Sequence, residues 1–158
     1  MVSLKEFQNE FSLIELIKSG SFGSVYEARD KKGQHYAVKI LTKPVVKAKK
    51  HFLFLRSTKP MKEGKILSKL QGIVGIPKLY FYGENPYINS HMLITELLGD
   101  DLRTKFKSEK AFSPEFIARI GLKMINILES VHEKNIIHCD IKPDNILLSP
   151  SNDERDEI

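Results

Sequence analysis

His138-Cys139-Asp140-Ile141-Lys142-Pro143-Asp144-Asn145 places a carboxylate, an amine and an amide close together between two apolar runs, Ile136-Ile137 and Ile146-Leu147-Leu148. The plain alternative, a polar turn after a helix, must generate His, Asp, Lys and Asn at these offsets by accident. Upstream, Ser113-Pro114 supplies a cap and a first-turn proline. Phe116, Ile117, Ile120, Met124, Ile127, Leu128 and Val131 then recur at helical spacing, which predicts a long helix delivering the chain to the polar run. Ile146-Leu147-Leu148 reads as a short strand leaving it. The tail from Ser149 is polar and acidic, without apolar periodicity.

Working back toward the N-terminus, the first half reads as strands with one helix. Phe11 to Leu16 is strand-like, breaks at Ser19-Gly20-Ser21-Phe22-Gly23 and resumes at Val25-Tyr26. Asp30-Lys31-Lys32-Gly33 is a turn signal, followed by a third strand from Gln34 to Leu41. A lysine-rich connection from Thr42 to Lys59 surrounds the apolar His51 to Leu55. A helix is expected from Pro60 to Leu70, with Ile66, Leu67 and Leu70 on one face and Gly72 as its stop. Val74-Gly75-Ile76-Pro77 makes a turn. Lys78 to Tyr82 and His91 to Thr95 read as two further strands separated by Gly83-Glu84-Asn85-Pro86.

Composition bounds the function. The 158 residues carry 25 Lys and Arg against 20 Asp and Glu, a modest and scattered excess that does not mark a nucleic-acid surface. The single cysteine, Cys139, excludes an internal disulfide framework and a cysteine-based zinc site, and fits a reducing compartment. No apolar run approaches the roughly 20 residues that span a bilayer, and the charged N-terminus lacks a signal-peptide core. The expectation is an intracellular protein, cytoplasmic or nuclear, without membrane or nucleic-acid partners.

The run from His138 to Asn145 resembles the catalytic loop of eukaryotic protein kinases. In that template Asp140 accepts the substrate hydroxyl proton, Lys142 steadies the transferring phosphoryl group and Asn145 holds Mg2+. Gly20-Ser21-Phe22-Gly23 resembles the phosphate-covering loop, flanked by Ile17 and by Val25, whose family counterpart packs on adenine. Lys39, in Tyr36-Ala37-Val38-Lys39, matches the third-strand lysine that contacts phosphates, with Ala37 roofing the adenine and Glu63 as the helix partner of the lysine. Glu84 is a weaker alternative partner. His91-Met92-Leu93-Ile94-Thr95-Glu96-Leu97-Leu98-Gly99 resembles the fifth strand and hinge, with Thr95 guarding the back of the nucleotide site, and Leu147 completes the ATP-binding set. Gly-Ser-Phe-Gly, Glu-Leu-Leu-Gly, Val-Gly-Ile-Pro and Ile-Lys-Pro-Asp-Asn together are similar to the casein kinase I family of serine/threonine kinases.

That resemblance implies an α+β fold: a five-stranded antiparallel sheet with one helix, then the first helices and catalytic loop of a helical lobe. It places an extension at 1–10 and a partial kinase domain at 11–158, divided into 11–95, a hinge at 96–99, and 100–158. The implied cofactors are ATP and Mg2+, and the implied partner is a protein carrying Ser or Thr in an acidic or pre-phosphorylated setting. Several positions depart from the family. Lys18 stands where its first loop glycine would, and Cys139 replaces the arginine that pairs with an activation-loop phosphate. The connection from 42 to 59 is longer and basic, and no Asp-Phe-Gly precedes Ile158. Asp153 and Asp156 come too early to serve in its place. The chain alone is therefore expected to transfer little phosphate. It would act instead as a noncatalytic nucleotide-binding or interaction fragment, or associate through an uncovered face of the long helix.

Overall fold

The computed structural model describes residues 11–20, 23–41, 59–85 and 90–150. Ser21, Phe22, the basic connection and the acidic tail with Asp153 and Asp156 lie outside the described residues. The chain divides into two compact units, Met1–Gln71 with Pro77–Leu97, and Gly72–Ile76 with Leu98–Ile158.

The first unit is built on strands β1 (Phe11–Gly20), β2 (Gly23–Asp30), β3 (His35–Leu41), β4 (Leu79–Asn85) and β5 (Ser90–Glu96), with one helix, α1 (Lys59–Lys69). The sheet is five-stranded in the order β1-β2-β3-β5-β4, antiparallel at every pairing. This is the α+β arrangement expected from the sequence. Strand β4 runs on through Gly83, Glu84 and Asn85, which the sequence assigned to a turn; pairing with Met92, His91 and Ser90 of β5 keeps them extended.

Asp30 closes the turn between β2 and β3. Its carboxylate accepts from the Lys32 and Gln34 backbone N–H groups at 2.8 and 2.9 Å and from the Tyr36 hydroxyl at 3.0 Å. Desolvation pushes the Asp30 pKa up, but the bonds from Gln34, Tyr36 and Lys32 together outweigh it and hold the pKa below its ordinary value. Tyr36 then enters the sheet core with Ala28, Val38, Met92 and Ile94, all buried. Phe11 and Tyr80 close on its ring edge-to-face, each with centroids 4.9 Å away.

Helix α1 corrects the sequence reading in detail. Gly64, Leu67 and Leu70 line its inner side, whereas Ile66 is exposed. Gly64 sits against the Tyr82 ring so closely that a β-carbon there would lie 2.5–2.6 Å from ring and Cβ atoms. An aromatic side chain on β4 has taken the room that a larger helix residue would need.

The second unit contains α2 (Leu102–Glu109), α3 (Pro114–Glu133) and a 3-10 turn, Pro143–Asn145. Helix α2 was not anticipated, although Asp101 is a visible cap: its side chain accepts from the Thr104 N–H at 2.8 Å. Helix α3 starts as expected, with Ser113 accepting from the Phe116 N–H. Leu102, Ile120 and Leu148 form the core, joined by Phe116, Met124 and Ile146. Ile117, counted with the inward face from its spacing, is exposed, as are Leu122 and Ile125. Ile146 to Leu148 forms no full strand but a single bridge, Leu147 to Asp101. Gly75 has φ 85° and no room for a β-carbon beside the Ile127 side chain, so the Val-Gly-Ile-Pro turn needs glycine for both conformation and contact.

Alanine in an exposed helix interior normally gains about 1 kcal/mol over glycine. At Gly64 the sign should reverse, with Gly64→Ala losing about 1–3 kcal/mol through overpacking against Tyr82. Urea unfolding would measure it, and a stabilised variant would contradict the packing described.

Candidate active site

Residues directly opposed across antiparallel strands project to the same face. Val25 opposes Lys39 and Lys39 opposes Leu93, while Glu27 opposes Ala37 and Ala37 opposes Thr95. Val25, Ala37, Lys39 and Thr95 therefore share one face of the sheet, opposite the face that carries Tyr36, Val38 and Ile94. Four positions selected from sequence are brought together by register alone.

Lys39 extends from this face to Glu63 on α1, donating to both carboxylate oxygens at 2.7 and 2.9 Å. Both side chains are partly exposed, 27% and 44%, so the pair contributes little to stability. What it does is set where the lysine ammonium sits. Glu63 lies just past the first turn, because α1 begins at Lys59. A purely helix-dipole role for its charge is correspondingly weaker. Glu84, the alternative partner, is not the acid that Lys39 meets.

Around the glycine turn, Gly23 has φ 139° and a β-carbon on it would strike the Ile40 carbonyl. Close approach to β3 is thus a sufficient reason for glycine there, independent of any phosphate. A β-carbon on Gly20 would meet nothing. Ile17 falls at a register shift between Leu16 and Lys18, an irregularity of the kind that re-aims a side chain. Glu96 lies on the core-face row opposite Tyr36. Its N–H donates to the Lys78 carbonyl at 3.0 Å and its carboxylate accepts from the Lys78 N–H at 2.7 Å.

In the second unit, Asp140, Lys142 and Asn145 come together tightly. The Asp140 Oδ2 accepts from Lys142 Nζ at 2.9 Å and from Asn145 Nδ2 at 2.9 Å; the same amide also donates to the Asp140 carbonyl at 2.9 Å. The Lys142 ammonium first, then the Asn145 amide, hold the Asp140 carboxyl below its usual pKa of 3.8 against a smaller opposing effect of desolvation. His138 is exposed, and its Nδ1 accepts from the Asp140 N–H at 3.2 Å. Cys139 is exposed and adopts φ 65°, a left-handed conformation uncommon outside glycine. Leu98 is half-buried. Leu147 turns away from the core that takes Ile146 and Leu148.

A family model for the protein kinase domain matches residues 11–155. The chain belongs to the protein kinase family. The kinase's ATP and divalent-metal chemistry follows in general from that membership. Among the described residues, no helix is long and apolar enough to cross a membrane. One residue of this region escaped the sequence reading: Arg103, whose Nε donates to Asp144 Oδ2 at 2.7 Å. Its only signal was a basic side chain just after a cap residue, and nothing local named its distant partner.

Because the folded Asp140 pKa lies below the unfolded one, the favourable contribution of its donors is complete above the unfolded pKa. It is lost as pH falls through the lowered value. Carboxyl NMR of the metal-free chain should show Asp140 titrating below an ordinary Asp, and Lys142→Met should raise the midpoint. An ordinary midpoint indifferent to that substitution would contradict the network.

Proposed function

We propose that this kinase is a serine/threonine enzyme of the casein kinase I kind, transferring the γ-phosphoryl group of ATP to Ser or Thr hydroxyls in acidic or pre-phosphorylated proteins. The four sequence segments similar to that family support the subfamily reading. The chemical reading is carried by one observation: a single carboxylate oxygen of Asp140 accepts from both Lys142 and Asn145.

The donor set suits a magnesium nucleotide. Two of the three N–H donors of Lys39 go to Glu63, leaving one for a phosphate oxygen. Val25, Ala37 and Thr95 offer a small, mainly apolar surface to a purine, with Ile17 as a further apolar candidate on the same unit. Asn145 commits its NH2 corner to Asp140, so its side-chain oxygen is the corner available to a hard cation. Mg2+ bound by Asn145 would neutralise phosphate charge.

Asp140 then receives the hydrogen bond of the incoming hydroxyl and orients its oxygen. A carboxylate held at low pKa is a weak base, so it takes the proton late. That suits a loose phosphoryl-transfer transition state, in which the nucleophile needs little prior activation. Lys142 keeps Asp140 ionised and places a positive charge beside the reacting oxygen. The loop thereby couples orientation of the acceptor to charge stabilisation.

In the protein as its gene encodes it, Asp140→Asn should lower kcat by about 10²-fold or more while ATP affinity stays nearly unchanged. Comparable loss of both would assign Asp140 a structural role. Phosphoamino-acid analysis of products from acidic and pre-phosphorylated peptides should show phosphoserine or phosphothreonine; phosphotyrosine would sink the substrate assignment.

A further inference from the structure

We propose that Arg103 is a positioning residue for the catalytic turn, fixing Asn145, and through it Asp140, by its ion pair with Asp144; this rests on the kinase reading above. The argument begins with how firmly Arg103 is held. Asp101 caps α2, Leu102 is buried in the core with Ile120 and Leu148, and Lys105 pairs with Glu109 one turn on. The preceding segment runs beside the exit of the catalytic loop. Gly99 N–H donates to the Leu148 carbonyl, Leu148 N–H to that of Asp100, and Leu102 N–H to that of Ile146, at 2.9, 3.0 and 2.9 Å. Arg103 therefore projects from a fixed platform.

Its target is placed where small movement matters. Asp144 is the central residue of the Pro143–Asn145 turn, and Arg103 Nε reaches its Oδ2 at 2.7 Å. The next residue, Asn145, donates its N–H to the Lys142 carbonyl and its side-chain amide to both the carbonyl and the carboxylate of Asp140. Loss of the Arg103 tether removes this restraint on the Asp144 side chain, and the turn, still held by its backbone bonds, shifts enough to weaken the Asn145 amide's bonds to Asp140. The Arg103 side chain is 52% exposed, so the pair adds little to global stability. Position is the property it controls, and small misplacements of catalytic groups are costly in rate.

The test uses the protein as its gene encodes it, with kinetics and the Asn145 side-chain amide resonances read together. Arg103→Leu should lower kcat about tenfold with KM for ATP unchanged. The melting temperature should barely change, and the Asn145 amide should shift toward its solvent-exposed position and exchange faster. The charge swap Arg103→Asp with Asp144→Arg should restore the amide signals and most of kcat. Unchanged Asn145 signals in Arg103→Leu would overturn the proposal, as would a fall in kcat that the swap does not restore. Should Arg103→Leu fail to fold, Arg103→Gln is read by the same amide signals and judged by the same outcomes. If no variant or parent transfers phosphate, the kinase reading fails on its own, and the amide signals still decide whether Arg103 positions Asn145.

Discussion

Opposed residues in an antiparallel sheet must project to one face, and across β2, β3 and β5 that constraint separates core from chemistry in the first unit. Tyr26, Val38 and Ile94 oppose one another on the core side; Val25, Lys39 and Leu93 do so on the other. A slip of one residue would expose Val38 and Ile94 and bury the lysine. Burial of the apolar row therefore specifies the register, and the register delivers Lys39 to the face from which it meets Glu63. Tyr36 shows the same economy, since its ring packs in the core while its hydroxyl secures Asp30 at the turn.

The catalytic loop follows a different logic. The hydrogen bonds that join His138, Asp140, Lys142 and Asn145 to one another span at most five residues, so these groups find one another through local chain geometry. What holds the loop against the second unit is longer-ranged: the backbone bonds from Gly99, Asp100 and Leu102, and the Arg103–Asp144 pair. Local bonds shape the constellation of Asp140, Lys142 and Asn145; the distant ones keep its turn in place.

Glycines illustrate how a motif can be right while its reason differs. Gly23 belongs to a segment that resembles a phosphate-covering loop, yet its φ of 139° and the neighbouring Ile40 carbonyl already require it. Gly64 belongs to no motif, and Tyr82 explains it. Gly75 answers to Ile127 in the same way. A missing side chain reports contact with whatever approaches, which composition cannot identify.

Strand alternation, the Ser113-Pro114 start and the His138 to Asn145 run were legible because each is encoded by neighbours in the chain. The individual strands and helix α3 followed from these, while the five-stranded antiparallel sheet and the roles of the loop residues were what the resemblance to protein kinases implied. Other features were not legible in this way. The sequence assigned Ile66 and Ile117 to inner faces, but helical spacing does not reveal which edge of an apolar stripe meets a neighbour. Helix α2 has a readable cap but a weak apolar stripe, and Arg103 owes its role to a carboxylate 41 positions away. The sequence by itself determined the periodicities and the identities of the reactive groups, because those are properties of adjacent residues. Only the tertiary structure decided which faces were covered and which charges met, because burial and ion pairing depend on segments that the chain brings together only by folding.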